Sequence, residues 1–225
     1  MILTGSEEEK LLEAIENGNI EKVKSILKRT TKNKKILELN EKNYYGQYSL
    51  LWAICWNNIE IVQLLIEYAN QHQIILELNE KNKDEYYPLL RAIDENNIEI
   101  VKLLIEYANQ HQIILELNEK INFGNYPLLR AIINDNIEII KLLIEYANQH
   151  QIILGLNEKN KYGWYPVYLA IYKYNIEIVK LLINYANQNQ INLEYDKKDI
   201  GKNSKIRKLL QNYEKEKGIR KKVNK

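Results

Sequence analysis

The chain has 225 residues, 45% of them hydrophobic, and a formal net charge of +2. That is ordinary for a globular protein of one or two domains, no stretch approaches the roughly eighteen apolar residues of a membrane helix, and a single cysteine cannot form an internal disulfide. Residues 197–225 carry twelve basic and three acidic side chains against twenty and twenty-seven in the remainder, so a mildly acidic body precedes a strongly basic tail.

The opening segment, MILTGSEEEK, turns acidic before a signal-peptide core forms, and no N-x-S/T acceptor follows. A cytoplasmic location, or a nuclear one, is the expectation. Ser6 with Glu9 forms a capping box that predicts a helix start. From there the chain is dominated by self-similarity. Leu39-Asn40-Glu41-Lys42 recurs as Leu78-Asn79-Glu80-Lys81, Leu117-Asn118-Glu119-Lys120 and Leu156-Asn157-Glu158-Lys159, each time 39 residues on. Ala14-Ile15 stands in the same register before Ala53-Ile54, Ala92-Ile93, Ala131-Ile132 and Ala170-Ile171, which marks an earlier, diverged copy. In that copy Lys22 and Ser25 replace the later Ile and Leu, as a terminal cap with a polar outer face requires.

Each copy begins with a turn that often holds glycine (Gly46, Gly124, Gly163). A short first helix follows, as in Tyr126-Pro127-Leu128-Leu129-Arg130-Ala131-Ile132, with proline where the first helical N–H has no partner anyway. Asn97 is the expected N-cap of a second helix. The residue before it in successive copies is Gly18, Asn57, Asn96, Asp135 or Tyr174, where a left-handed conformation is expected and only Tyr174 does not suit it. The second helix, Ile98 to Ala108, confines Glu99, Lys102 and Glu106 to one stripe and is apolar elsewhere, so it is expected to be buried, Leu104 at its core. Neither Gly nor Pro stops it, which predicts one or two further turns past Ala108. Gln112 to Leu117 is then a β-prone arm. Ser204 to about Lys217 reads as a final helix with Ile206, Leu209 and Leu210 facing inward.

Asn160-Lys161-Tyr162-Gly163-Trp164-Tyr165-Pro166-Val167, then Ala170, then Asn175-Ile176-Glu177-Ile178-Val179-Lys180-Leu181-Leu182, resembles the ankyrin repeat consensus D-x-x-G-x-T-P-L-H-x-A followed by G-H-L-E-I-V-K-L-L-L. The resemblance covers residues 6 to 195 and implies an all-α helical repeat solenoid with β-turn or hairpin arms, read here as one complete domain. Its parts are a capping repeat (1–40), repeats 41–79, 80–118, 119–157 and 158–195, a capping helix (196–217) and a basic tail (218–225). The period exceeds the usual 33. Tyr48, Tyr87, Tyr126 and Tyr165 stand where the family has Thr, and Leu51, Leu90, Leu129 and Tyr168 where it has His, so the Thr/His relay between units does not carry over.

Nothing in the chain assembles a reaction centre. Cys55 has no counterpart in other copies and no base beside it. His72, His111 and His150 recur after the second helix, where neighbours could share a zinc only with their side chains angled together and with no repeated acid or thiol ligand; interaction with the helix carbonyl end is the simpler expectation. No enzyme activity, metal or cofactor is expected.

Comparing the copies locates a binding surface. Second helices are nearly identical, whereas variation gathers in the columns Tyr44/Lys83/Asn122/Lys161, Tyr45/Asp84/Phe123/Tyr162, Gln47/Tyr86/Asn125/Trp164, Trp52/Arg91/Arg130/Leu169, Cys55/Asp94/Ile133/Tyr172 and Trp56/Glu95/Asn134/Lys173. By resemblance all but the Trp52 column face the concave groove. Large aromatics beside charges, on loops of a rigid scaffold, are what dominates interfaces. The expectation is a non-catalytic, monomeric adaptor, scaffold or inhibitor that binds a protein partner there, with Trp56, Tyr86 and Trp164 as anchors. The competing reading for those columns is exposed surface under no packing constraint. The alternative function is nucleic-acid or anionic-membrane binding by the tail around Arg220-Lys221-Lys222.

Overall fold

The computed structural model describes residues 5–201 and 203–218. Eleven α-helices run through them: α1 (Glu7–Glu16), α2 (Ile20–Lys32), α3 (Ser49–Cys55), α4 (Ile59–His72), α5 (Pro88–Asp94), α6 (Ile98–His111), α7 (Pro127–Ile133), α8 (Ile137–Gln149), α9 (Pro166–Tyr172), α10 (Ile176–Gln188) and α11 (Ser204–Glu216). They fall into two compact units, one up to Asn122 and one from Phe123. In the first, α1, α3 and α5 stack on one another, as do α2, α4 and α6. In the second, α7 packs on α9, α8 on α10, and α11 closes the stack against α10. Stacking of like on like makes an all-α repeat solenoid.

Local chemistry explains the helix limits. Ser6 and Glu9 form the reciprocal capping box, and Asn19, Asn58, Asn97, Asn136 and Asn175 each accept from an amide of the first turn. Gly18, Asn57, Asn96, Asp135 and Tyr174 all have φ between 53° and 59°. Tyr174 takes this conformation despite its bulk, with the bonds around it in place and its ring in solvent. The second helices continue three residues past Ala69 and Ala108 and two past Ala147 and Ala186, less than the one or two turns expected. They are stopped without glycine: Gln73 and Gln112 turn left-handed, and the next amides, Ile74 and Ile113, close back on the Ala69 and Ala108 carbonyls.

Leu104 is fully buried, as expected. In α11, Ile206 and Leu210 are buried but Leu209 is only half-buried; Tyr213 takes the remaining inward place. The sequence carried that signal, because Leu209-Leu210-Gln211-Asn212-Tyr213 repeats the pattern of Leu103-Leu104-Ile105-Glu106-Tyr107.

The arms depart from the β expectation. Among the described residues there is no strand: the segment after each second helix is irregular, with no ladder partner. Its backbone groups are bonded by side chains from neighbouring copies instead. The Tyr107 hydroxyl donates to the Ile74 carbonyl and accepts from the Leu76 amide, at 3.1 and 3.0 Å, and Tyr185 and Tyr213 do the same for Ile152/Leu154 and Ile191/Leu193. From the other side, the phenol of Tyr48 is shared between the Glu77 and Glu80 carbonyls, that of Tyr87 between Glu116 and Glu119, and that of Tyr126 between Gly155 and Glu158. Burial pushes these three phenols far above the ordinary range, so they remain protonated donors. The tyrosines that replace the family's threonine thus perform an inter-repeat bond of their own.

Candidate partner-binding surface

The variable turns are closed from within. The Asn43 Oδ1 accepts from the amides of Tyr45 and Gln47, that of Asn82 from Asp84 and Tyr86, and that of Asn160 from Tyr162 and Trp164, all at 2.9–3.0 Å. One asparagine therefore satisfies each tip, and the intervening side chains are released from structural duty. In the remaining full copy Ile121 stands in that place, and the turn is a short 3-10 segment, Asn122–Gly124, with Phe123 at φ 68°. Successive tips touch: the Lys83 amide donates to the Tyr45 carbonyl and that of Lys161 to Phe123. Gly46 (φ 74°) and Gly124 (φ 77°) are needed at these contacts, because a Cβ on either would lie about 3 Å from the backbone of Asn82 or Asn160.

Fifteen of the seventeen expected site residues are exposed or half-buried. In the first unit Tyr44 and Tyr45 pack edge to face at 5.3 Å, and the Lys83 ammonium sits 3.6 Å above the Tyr44 ring. Trp56 is 51% exposed and leans on Trp52. Asp84 is exposed. Tyr86, Asp94 and Glu95 are half-buried and mutually engaged: the Tyr86 hydroxyl donates to Asp94 at 2.7 Å, while Arg91 stacks over Tyr86 and pairs with Glu95. Tyr86 is therefore less open than an anchor should be. In the second unit Phe123 and Tyr162 stack at 5.9 Å, Tyr162 meets Trp164 at 5.3 Å, and Lys161 lies over Phe123. Trp164 is 38% exposed; Tyr172 and Lys173 are exposed and Asn134 half-buried.

Gln47 and Asn125 do not belong with them. Both are buried. Asn125 accepts from the Asn160 amide group, and the Gln47 Oε1 has no hydrogen-bond partner. Sequence variability alone did not distinguish these from the outward positions. Tyr174, also outward and aromatic, was missed because its register suggested only a helix end.

Burial pushes the half-buried Cys55 thiol up to about 11, so it is not a thiolate at neutral pH. His72 and His111 stand in the last turn of α4 and α6 and bond Thr31 Oγ1 and Asn70 Oδ1 on the second helix of the preceding copy, and each ring packs on the tyrosine four residues before it. Among the described residues no group of three or more His, Cys, Asp or Glu is placed to hold a metal. No helix of the described residues is long and apolar enough to cross a membrane. The basic segment after Gly218 lies outside the described residues.

Comparison with curated proteins gives no match. A family model for ankyrin repeats, in three copies, matches residues 11–114, 69–153 and 109–195. Ankyrin repeats are generally protein–protein interaction modules and typically carry no enzymatic activity. Matched from residue 11 to residue 195, the chain belongs to the ankyrin repeat family.

Proposed function

We propose that the chain is a non-catalytic adaptor, scaffold or inhibitor that holds a protein partner on its turns and first-helix ends. One observation carries this reading. Among the described residues every exposed large aromatic (Tyr44, Tyr45, Trp56, Phe123, Tyr162, Trp164, Tyr172, Tyr174) lies on a turn or just at the end of a first helix. None lies on a second helix or an arm. Keeping such rings in water is unfavourable unless a partner covers them, and Trp and Tyr are the residues that most often anchor interfaces.

The test uses crosslinking mass spectrometry on native extract. Alanine at Trp56, Tyr162 and Trp164 should abolish the principal crosslinks, at about 2 kcal/mol for each covered anchor, with melting nearly unchanged. Alanine at Glu99, Lys102 and Glu106, in the repeated stripe of α6, should leave the crosslinks intact. Loss in the stripe variant with retention in the aromatic one would place recognition on the second helices instead.

A further inference from the structure

The exposed large hydrophobics divide by chemistry as well as by place. The aromatics occupy the turns; the aliphatics are Ile36, Ile75, Ile114 and Ile153, one on each arm. Three of these belong to the unit ending at Asn122, where they are 55%, 53% and 52% exposed. Burial alternates along each of these arms: Leu37, Leu76 and Leu115 point inward, and Glu38, Glu77 and Glu116 follow exposed on the isoleucines' side. The arms are held in constant register. Asn40 binds the Ile75 carbonyl and the Glu77 amide, and Asn79 binds the Ile114 carbonyl and the Glu116 amide in the same way. The isoleucines therefore form one column and the glutamates a second beside it.

Charge gives this face a polarity. Glu80 and Glu119, three residues further along the arms, are neutralised by Lys42 and Lys81. Glu38, Glu77 and Glu116 have no Lys or Arg within ion-pair distance among the described residues. A row of like charges beside an apolar row is unfavourable in isolation and suits a partner that is both basic and apolar. In the second unit Gly155 replaces the glutamate of one arm and Asn192 the isoleucine of the next, so no column of either kind runs there.

The geometry points to the occupant: an amphipathic, basic α-helix of a partner protein, with an apolar residue at every seventh position and Lys or Arg alongside. Packed helices repeat at about 8–10 Å, and seven residues of helix advance about 10.5 Å, so each heptad meets one arm. A partner strand is disfavoured because the arm offers no open edge. The Ile74 and Ile75 carbonyls, the Leu76 and Glu77 amides and the Glu77 carbonyl are already bonded to Tyr107, Asn40 and Tyr48. A helix brings its own backbone bonds and needs only the side chains. This face shares no residue with the turn surface proposed above, and the two readings stand or fall separately.

Fluorescence anisotropy with the full chain tests it. The probe is a labelled three-heptad peptide with Leu at every seventh position and Lys beside each; its twin carries Glu in place of Lys. The basic peptide should bind and the acidic twin should not. I36S/I75S/I114S and E38Q/E77Q/E116Q should each weaken binding at least about tenfold, the loss expected when central interface residues are removed, and both should keep the helical spectrum. E67Q/E99Q/E106Q removes equal charge from the second helices and should change nothing. Equal binding of the twin, unchanged binding by either ladder variant, or an equal loss in E67Q/E99Q/E106Q would overturn the proposal. The last outcome would mean attraction to the acidic body at large.

Discussion

Arms and turns are both irregular segments, yet they hold their backbones in opposite ways. In three of the four full copies the turn amides are satisfied from inside, by one asparagine that accepts from two amides of its own loop, as Asn82 does from Asp84 and Tyr86. Each arm is satisfied from outside, by tyrosines and an asparagine of adjacent copies, as Leu76 is by Tyr107 and Glu77 by Asn40 and Tyr48. The difference explains where the copies diverge. A self-contained turn tolerates Tyr45, Asp84 or Tyr162 at its tip, whereas an arm residue cannot shift without disturbing the copies on either side. Variation is therefore tolerated at the turn tips, while the arms carry bonds between copies.

That contrast can be broken by substitution. The largest effect is expected below both segments: Leu104→Ala, in the α6 core, should cost about 2–5 kcal/mol in chemical denaturation. Tyr87→Phe removes a clamp and leaves the Glu116 and Glu119 carbonyls without their donor. It should cost about 1–3 kcal/mol although only one oxygen is lost; a neutral result would mean that water replaces the phenol. Tyr174→Gly relieves a left-handed tyrosine and should raise stability by about 1 kcal/mol or less. Tyr45→Ala, at a turn tip, should move the melting midpoint least, within about 0.5 kcal/mol. A cost at Tyr45 comparable with that at Tyr87 would erase the distinction between the segments.

Periodicity made the helix pairs, the asparagine caps and the buried Leu104 legible in the sequence, because each depends on residues close in the chain. The arms were not legible. Ile-Ile-Leu-Glu-Leu has strand propensity, but the partners that hold it come from a repeat away, and only the substitution of Tyr48, Tyr87 and Tyr126 for threonine hinted at them. Left-handed Gln73 and Gln112 were missed because their cost is met by the carbonyl closure behind them, which composition does not reveal. At the candidate surface, variable columns located the outward aromatics. They did not separate exposed Trp164 from buried Asn125 in the same column.

Native-state hydrogen exchange tests the central contrast most directly. The Leu76 amide donates to the Tyr107 hydroxyl, while the Asp84 and Tyr86 amides donate to Asn82 within their own turn. In Tyr107→Phe the Leu76 amide should lose protection by well over its share of any global destabilisation, and Asp84 and Tyr86 should slow or quicken only with the global change. Unaltered protection at Leu76, or loss spread equally to Asp84 and Tyr86, would contradict an arm held by its neighbours and a turn held by itself.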